Sequence, residues 1–158
     1  MRKLLAALAA GALGLVALAT PAFAGAPAPK TFVAVLDAAN EVPHCTSATN
    51  AARGVAVFHV IDEATGTVEY MLVANNLPGT PIAAHIHTAP AGVPGPVLQP
   101  LHLMPGAENG VVARGTFVNP TLLAGIRANA NESNYYVNVH SNICPAGVIR
   151  GQLGSHGP

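Results

Sequence analysis

Between residues 31 and 154 short β-forming runs alternate with turns rich in Gly, Pro, Asn and Asp, a pattern that predicts strands rather than helices. The first run, Thr31 to Leu36 (TFVAVL), stops at Asp37 and gives way to a long polar loop reaching Arg53. The clearest local signal follows: GVAVFHVI from Gly54, the turn Asp62-Glu63-Ala64-Thr65-Gly66, then TVEYMLVANNL, two apolar runs around a Gly-containing turn and hence a β-hairpin. In its first arm Ala56, Phe58 and Val60 share one face, and Val55, Val57, His59 and Ile61 share the other. Both faces are largely apolar, so this strand is expected to be covered on both sides, with His59 a satisfied core histidine.

Further along, Ile82 to Thr88 (IAAHIHT) reads as a short strand stopped by the Pro- and Gly-dense loop Pro90 to Pro96. Val97 to Met104 and Gly110 to Phe117 continue the pattern, and Tyr135 to His140 (YYVNVH) and Val148 to Leu153 (VIRGQL) close it. Asn119-Pro120-Thr121 before LLAGIRANA supplies the one good helix start, with Asn as cap and Pro in the first turn. Seven or eight short strands and one short helix predict an all-β fold, an antiparallel β-sandwich or barrel. No internal repeat and no long linker divides it, so residues 31–154 form one domain, with 155–158 as a tail.

The first residues break the pattern. Arg2 and Lys3 precede an apolar run from Leu4 to Ala19, and Ala22-Phe23-Ala24 places small residues three apart before Gly25. This is the layout of a signal peptide over residues 1–24, and the run is shorter than the roughly 20 residues of a membrane span. No other stretch approaches that length, so no membrane span is expected in the mature form. No lipobox cysteine follows the cleavage site. Residues 25–30 (GAPAPK) then read as a Pro/Ala tether.

Removal of 24 of the 158 residues would leave five basic against seven acidic side chains, a net charge of −2 with histidines neutral. Such a chain is not built for nucleic acid. With 51% hydrophobic and 9% charged residues it is not a disordered tail either. In an oxidising compartment the two cysteines, Cys45 and Cys144, would pair, closing a loop of about 100 residues at a gain of about 4 to 5 kcal/mol. Two free thiols acting as ligands are the alternative.

Several phrases, taken in order, resemble the CHRD domain, the module named for chordin and found also in bacterial secreted proteins. They are Asn40-Glu41-Val42-Pro43, Gly54 with the apolar run after it, Ala84-His85-Ile86-His87, Gly95-Pro96-Val97, Tyr136-Val137-Asn138-Val139-His140 and Ile149-Arg150-Gly151-Gln152-Leu153. The resemblance spans roughly Thr31 to Gly154 and implies a sandwich of immunoglobulin-like or superoxide-dismutase-like appearance, secreted or surface-attached. It carries no established chemistry for bacterial members. Val148 stands where the family often has a polar or acidic residue, and the two cysteines lie outside the family's general pattern, so the resemblance does not speak for the disulfide.

The histidines carry the candidate chemistry. His85 and His87 lie two apart on a strand and so project from one face, and His140 shares its own strand face with Asn138 and Tyr136. If the two strands are neighbours, three imidazoles converge, a set suited to copper or zinc with one coordination position open. The pair is similar to the His-x-His strand of copper-zinc superoxide dismutases, but no separate loop of clustered His and Asp is present to build a two-metal centre. His102, beside Met104, would add a fourth ligand if both faced the site, but Met104 is expected to pack in the core. The other reading makes the histidines structural, bonded to loop backbones. His44 and His156 flank loops as exposed residues. Arg150 needs a partner inside its strand, Glu41 or Glu69, unless it faces solvent. Arg150 and Asn138 are expected to be structural.

Nucleophile and phosphate-binding motifs are absent. Two functions remain open: a secreted binding or structural module without catalytic activity, engaging an extracellular protein or surface partner, or an extracellular copper- or zinc-binding protein or simple redox enzyme using the three histidines.

Overall fold

The structure is a computed structural model and describes residue 28 and residues 30–128 and 134–155. The proposed signal peptide, most of the tether and His156 lie outside the described residues. Eight strands form one sheet: β1 (Thr31–Asp37), β2 (Arg53–Asp62), β3 (Thr67–Asn75), β4 (Pro81–Thr88), β5 (Val97–Leu101), β6 (Gly110–Val118), β7 (Tyr135–Ser141) and β8 (Ile149–Ser155). Among the described residues a single α-helix, α1, covers Pro120–Ala128. The spatial order is β5-β4-β7-β8-β1-β2-β3-β6, and every neighbouring pair is antiparallel. The two edges meet beyond the end of β5, where Leu103 bridges Ala113 and the Met104 N–H donates to the Val112 carbonyl at 2.8 Å. This near-closure makes the sheet a barrel and leaves little exposed edge.

Period-2 alternation explains the interior. Phe32, Ala34 and Leu36 of β1, and Ala56, Phe58 and Val60 of β2, all point inward and are buried. Phe58, Tyr70 and Phe117 fill one region of the core with ring centroids 6.0 to 6.5 Å apart, and the Tyr70 hydroxyl accepts the His102 backbone N–H. The helix begins as its sequence dictates: the Leu122 N–H donates to Asn119 Oδ1 at 2.9 Å, and Leu122, Leu123 and Ile126 are buried. Arg127 holds the β2–β3 turn through both Glu63 oxygens. Asp62 Oδ1 accepts from the Ala64 N–H within the turn.

Two sequence expectations change. β2 is covered on its inner face alone: Val55 and Ile61 are 40% and 55% exposed, so the second apolar face is open to solvent rather than packed. His59, on that outer face, is exposed and contacts Thr31 Oγ1 through Nδ1 instead of sitting in the core. β5 is also shorter than its apolar run, ending at Leu101, with a 3-10 turn over Ala38–Asn40 inside the first long loop.

Cys45 and Cys144 form a disulfide, with Cα atoms 5.9 Å apart across a sequence separation of 99. It joins the loop after β1 to the loop between β7 and β8. Ala52, Cys144 and Val148 of these loops are buried in the core cluster, with Cys45 and Ala48 packed against it, whereas the Pro-rich loop after β4 lies on the outside of the barrel.

The seam between the first and last strands depends on Gly151. A Cβ there would lie 2.2 Å from the Val35 carbonyl oxygen, on backbone that cannot swing away. Gly151→Ala is therefore expected to lose at least about 3 kcal/mol in denaturant unfolding. A loss below about 1 kcal/mol would show that the β1–β8 seam tolerates a side chain.

Candidate metal centre

β4 and β7 are neighbours, and their register sets His85 opposite Asn138 and His87 opposite Tyr136. Directly opposed residues of an antiparallel pair share a face. His85, His87 and His140 therefore stand together on the outer face of the barrel, with ring centroids 5.0 Å (His85 to His140), 5.5 Å (His85 to His87) and 6.0 Å (His87 to His140) apart. One nitrogen from each ring lies within 4.8 Å of the other two. Among the described residues this group of three does not include His102. Met104 lines a shallow groove with Met71 and Arg114 on the opposite half of the barrel.

Backbone carbonyls settle the tautomers. A carbonyl oxygen only accepts, so His87 Nδ1–H donates to Gly95 O at 2.9 Å and His140 Nδ1–H donates to Pro145 O at 3.0 Å. Both rings then carry their lone pair on Nε2. His85 Nδ1–H donates to His140 Nε2 at 3.1 Å, leaving its own Nε2 unprotonated. His87 Nε2 is buried and has no hydrogen-bond partner. An orphaned buried acceptor of this kind costs about 1 to 3 kcal/mol, and a cation would remove the cost. Burial is the first cause that lowers the pKa of each ring, with neighbouring cationic forms adding to it, and His85 is brought down to about 4. At neutral pH all three imidazoles are uncharged, the form that ligates metal.

The rings are held by a polar network on the same face. Tyr136 stacks on His87, centroids 4.7 Å apart and planes 10° apart, while the Arg150 guanidinium lies 3.5 Å over the Tyr136 ring. Arg150 is 1% exposed. It pairs with neither Glu69 nor Glu41 and does not face solvent. Its donors go to the carbonyls of Val93 and Pro90, each at 2.8 Å, and to Gln152. Gln152 donates to the Ala89 carbonyl, and the Gly95 N–H donates to the Tyr136 hydroxyl. Arg150, Gln152 and Tyr136 thus fix the loop over residues 89–96, and that loop presents the carbonyl that orients His87. Gly95 is required by space: a Cβ there would sit 1.9 Å from the Thr88 carbonyl oxygen.

Asn138 reaches the other way. Its Nδ2 donates to Glu41 Oε1 at 3.1 Å, and the Val42 N–H donates to the same oxygen at 3.0 Å. Glu41 Oε2 and Asn138 Oδ1 are both buried acceptors without a donor. Burial, the largest influence on this carboxyl, raises its pKa to about 7 and so favours the uncharged acid. Tyr136, Gly95, Gln152 and Glu41 were not singled out for the site by sequence. For Tyr136 the available signal was the polar residue at every second position of β7; Glu41, Gly95 and Gln152 had only their place in the quoted phrases.

The fold and this face define an antiparallel β-barrel module whose polar, loop-covered cluster lies outside the barrel wall. The family model for the CHRD domain matches residues 32–153, and the chain belongs to the CHRD family. Among solved structures, the clock protein EA4 is similar at 19% identity, covering 85% of this chain and 100% of that one with a TM-score of 0.46. No curated protein matches the chain.

Glu41 makes folding pH-dependent in a defined direction. Below pH 4.5 the acid is neutral whether the chain is folded or not; from there to about 7 only the unfolded chain ionises, so this residue's contribution falls as pH rises. The histidines act oppositely, since their lowered values withdraw stability as pH falls below 6.5. In Glu41→Gln the side chain is uncharged at every pH. The stability of this variant relative to the parent should climb by on the order of 2 to 3 kcal/mol between pH 5 and 8, read by urea unfolding. A flat difference would mean that the carboxyl is ionised in the folded protein.

Proposed function

We propose that this protein is an exported CHRD-domain binding module whose ligand is a transition metal ion, Zn(II) or Cu(II), held by His85, His87 and His140, and that it catalyses no reaction of its own. The observation that carries the reading is His87: Nδ1 is committed to Gly95 O, while Nε2 is buried, unprotonated and without a partner beside two other neutral imidazoles. Metal-bound histidines commonly donate their second ring N–H to a carbonyl, which fixes the ring and raises its basicity. His87 and His140 already have that arrangement. At about 2.0 to 2.1 Å from zinc, tetrahedral ligand nitrogens lie about 3.3 Å apart, so separations of up to 4.8 Å close with modest side-chain movement.

Export is supported by the pattern of residues 1–24, by the Cys45–Cys144 disulfide, and by the absence among the described residues of a helix able to cross a membrane. In that setting metal is taken from outside the cytoplasm. An extracellular protein or surface partner remains compatible with the module, since a bound ion with an open position would itself be a docking point.

Calorimetric titration of the chelator-treated mature protein should show one Zn(II) or Cu(II) per chain. At a free metal concentration of about 100 times the dissociation constant, stability should rise by about 2.7 kcal/mol, a thermal shift on the order of 10 °C. His85→Gln, at a half-buried ring, should weaken binding by at least about 100-fold without unfolding the protein. Stoichiometric binding that survives both His85→Gln and His140→Gln would sink the assignment, as would no binding at all. The intact mass of the secreted product should place its N-terminus at Gly25, and an unprocessed chain would remove the export half of the proposal.

A further inference from the structure

Loops cover the outside of the barrel over β4, β7 and β8, but nothing among the described residues covers the outside of β1, β2, β3 and β6. α1 packs at the end that carries the β2–β3 turn, through the Arg127–Glu63 pair and the Asn119 N–H to the Gly66 carbonyl. On the bare half, pairing places Val35, Val55, Val73 and Val111 in one lateral row and Val33, Val57, Met71 and Arg114 in the next. Val35 is 65% exposed, Met71 46% and Val55 40%. Solvated strand faces ordinarily carry polar residues, and an apolar patch shared by four strands marks a contact surface. This face is the second apolar side of the hairpin, which the barrel leaves uncovered.

We propose that this face binds a second copy of the chain in an isologous, two-fold dimer. The argument is charge complementarity. Glu69 on β3 and Arg114 on β6 lie one row apart on adjacent strands, both exposed, and among the described residues neither has an ionic or hydrogen-bonding partner. A surface carrying one unpaired charge of each sign beside an apolar patch complements its own image. Taking about 4.8 Å between strands and about 3.4 Å per residue, the two-fold axis that exchanges Glu69 with Arg114 runs diagonally over Val57 to Val35. The same axis sets Val55 of one copy against Val33 of the other and Met71 close to its own counterpart. Two reciprocal Glu69–Arg114 pairs then flank a valine contact, and the low charge of the chain opposes this association little. The face measures roughly 20 by 20 Å, so both copies together bury on the order of 800 Å², an area that gives a weak dimer.

Sedimentation velocity on the secreted protein, in chelator so that the result is independent of the histidine site, should show the weight-average mass rising from monomer toward dimer between about 10 μM and about 1 mM. Val55→Lys should hold the protein at monomer mass throughout, with an unchanged thermal midpoint, because its side chain is exposed in the monomer. Glu69→Arg and Arg114→Glu should each weaken association by at least about 10-fold, and the double exchange should restore it. A monomer at every concentration overturns the proposal, and contacts from residues before Thr31 to Met71 in the NMR spectra of that monomer would assign the cover to the N-terminal segment. A dimer that persists in Val55→Lys, or a double exchange that fails to restore association, overturns this face or this axis.

Discussion

The outer wall of the barrel is organised by one buried cation. Arg150 is withdrawn from water without a carboxylate in contact, an arrangement whose desolvation cost runs to several kcal/mol. Two main-chain carbonyls, the Gln152 amide oxygen and the face of Tyr136 offset that cost. Lysine could not substitute: its point charge cannot lie flat on the ring while donating to Pro90 and Val93 in two directions. The carbonyls that satisfy Arg150 belong to a loop with no strand or helix of its own, so the guanidinium also decides where that loop lies.

From this follows a reason for the phrases by which the family is recognised. Asn-Glu-Val-Pro supplies Glu41 to Asn138 and Asn40 to the Arg150 carbonyl. Gly95 lets the loop approach Thr88. The strand phrases of β4, β7 and β8 contribute His87, Tyr136, Asn138 and Arg150 from registers that make them lateral neighbours. All lie on one face, at the boundary between barrel and loops. The structural and ligand readings of the histidines then cease to compete. Each of His87 and His140 spends Nδ1 on a loop carbonyl, and that bond is what leaves Nε2 unprotonated and aimed at its neighbours. Under the proposed metal reading, loop anchoring and ligation would use the two nitrogens of the same imidazole.

Much of this was legible in the chain. Period-2 runs gave all eight strands, and Asn119-Pro120 gave the helix start, because strand alternation and capping are local. The three histidines could be grouped as soon as β4 and β7 were supposed adjacent. What sequence could not supply was long-range: the loop carbonyls of Gly95 and Pro145 are backbone atoms with no residue signature, and for Arg150 sequence offers a carboxylate or solvent but not the carbonyls it meets, because side-chain partners can be searched in a sequence whereas carbonyls cannot. His59 was misplaced for a related reason. An apolar neighbourhood along the strand says nothing about which face the barrel encloses.

The two halves of the exterior express a single compositional limit. With 9% charged residues, the chain has too few to coat the outside of eight strands. On one half the strands carry polar side chains that bind loops, and the loops meet the solvent in their place. The Cys45–Cys144 disulfide ties the loop after β1 to the β7–β8 loop, which hydrogen bonds from Ser141 and Val148 also hold against β7 and whose Pro145 carbonyl meets His140. On the other half polar side chains such as His59, Glu69 and Arg114 are few and hold no loop, and valines stand outward between them. An apolar outer face therefore reads in sequence like a doubly buried strand, and the difference lies in whether its cover comes from within the chain or from another molecule.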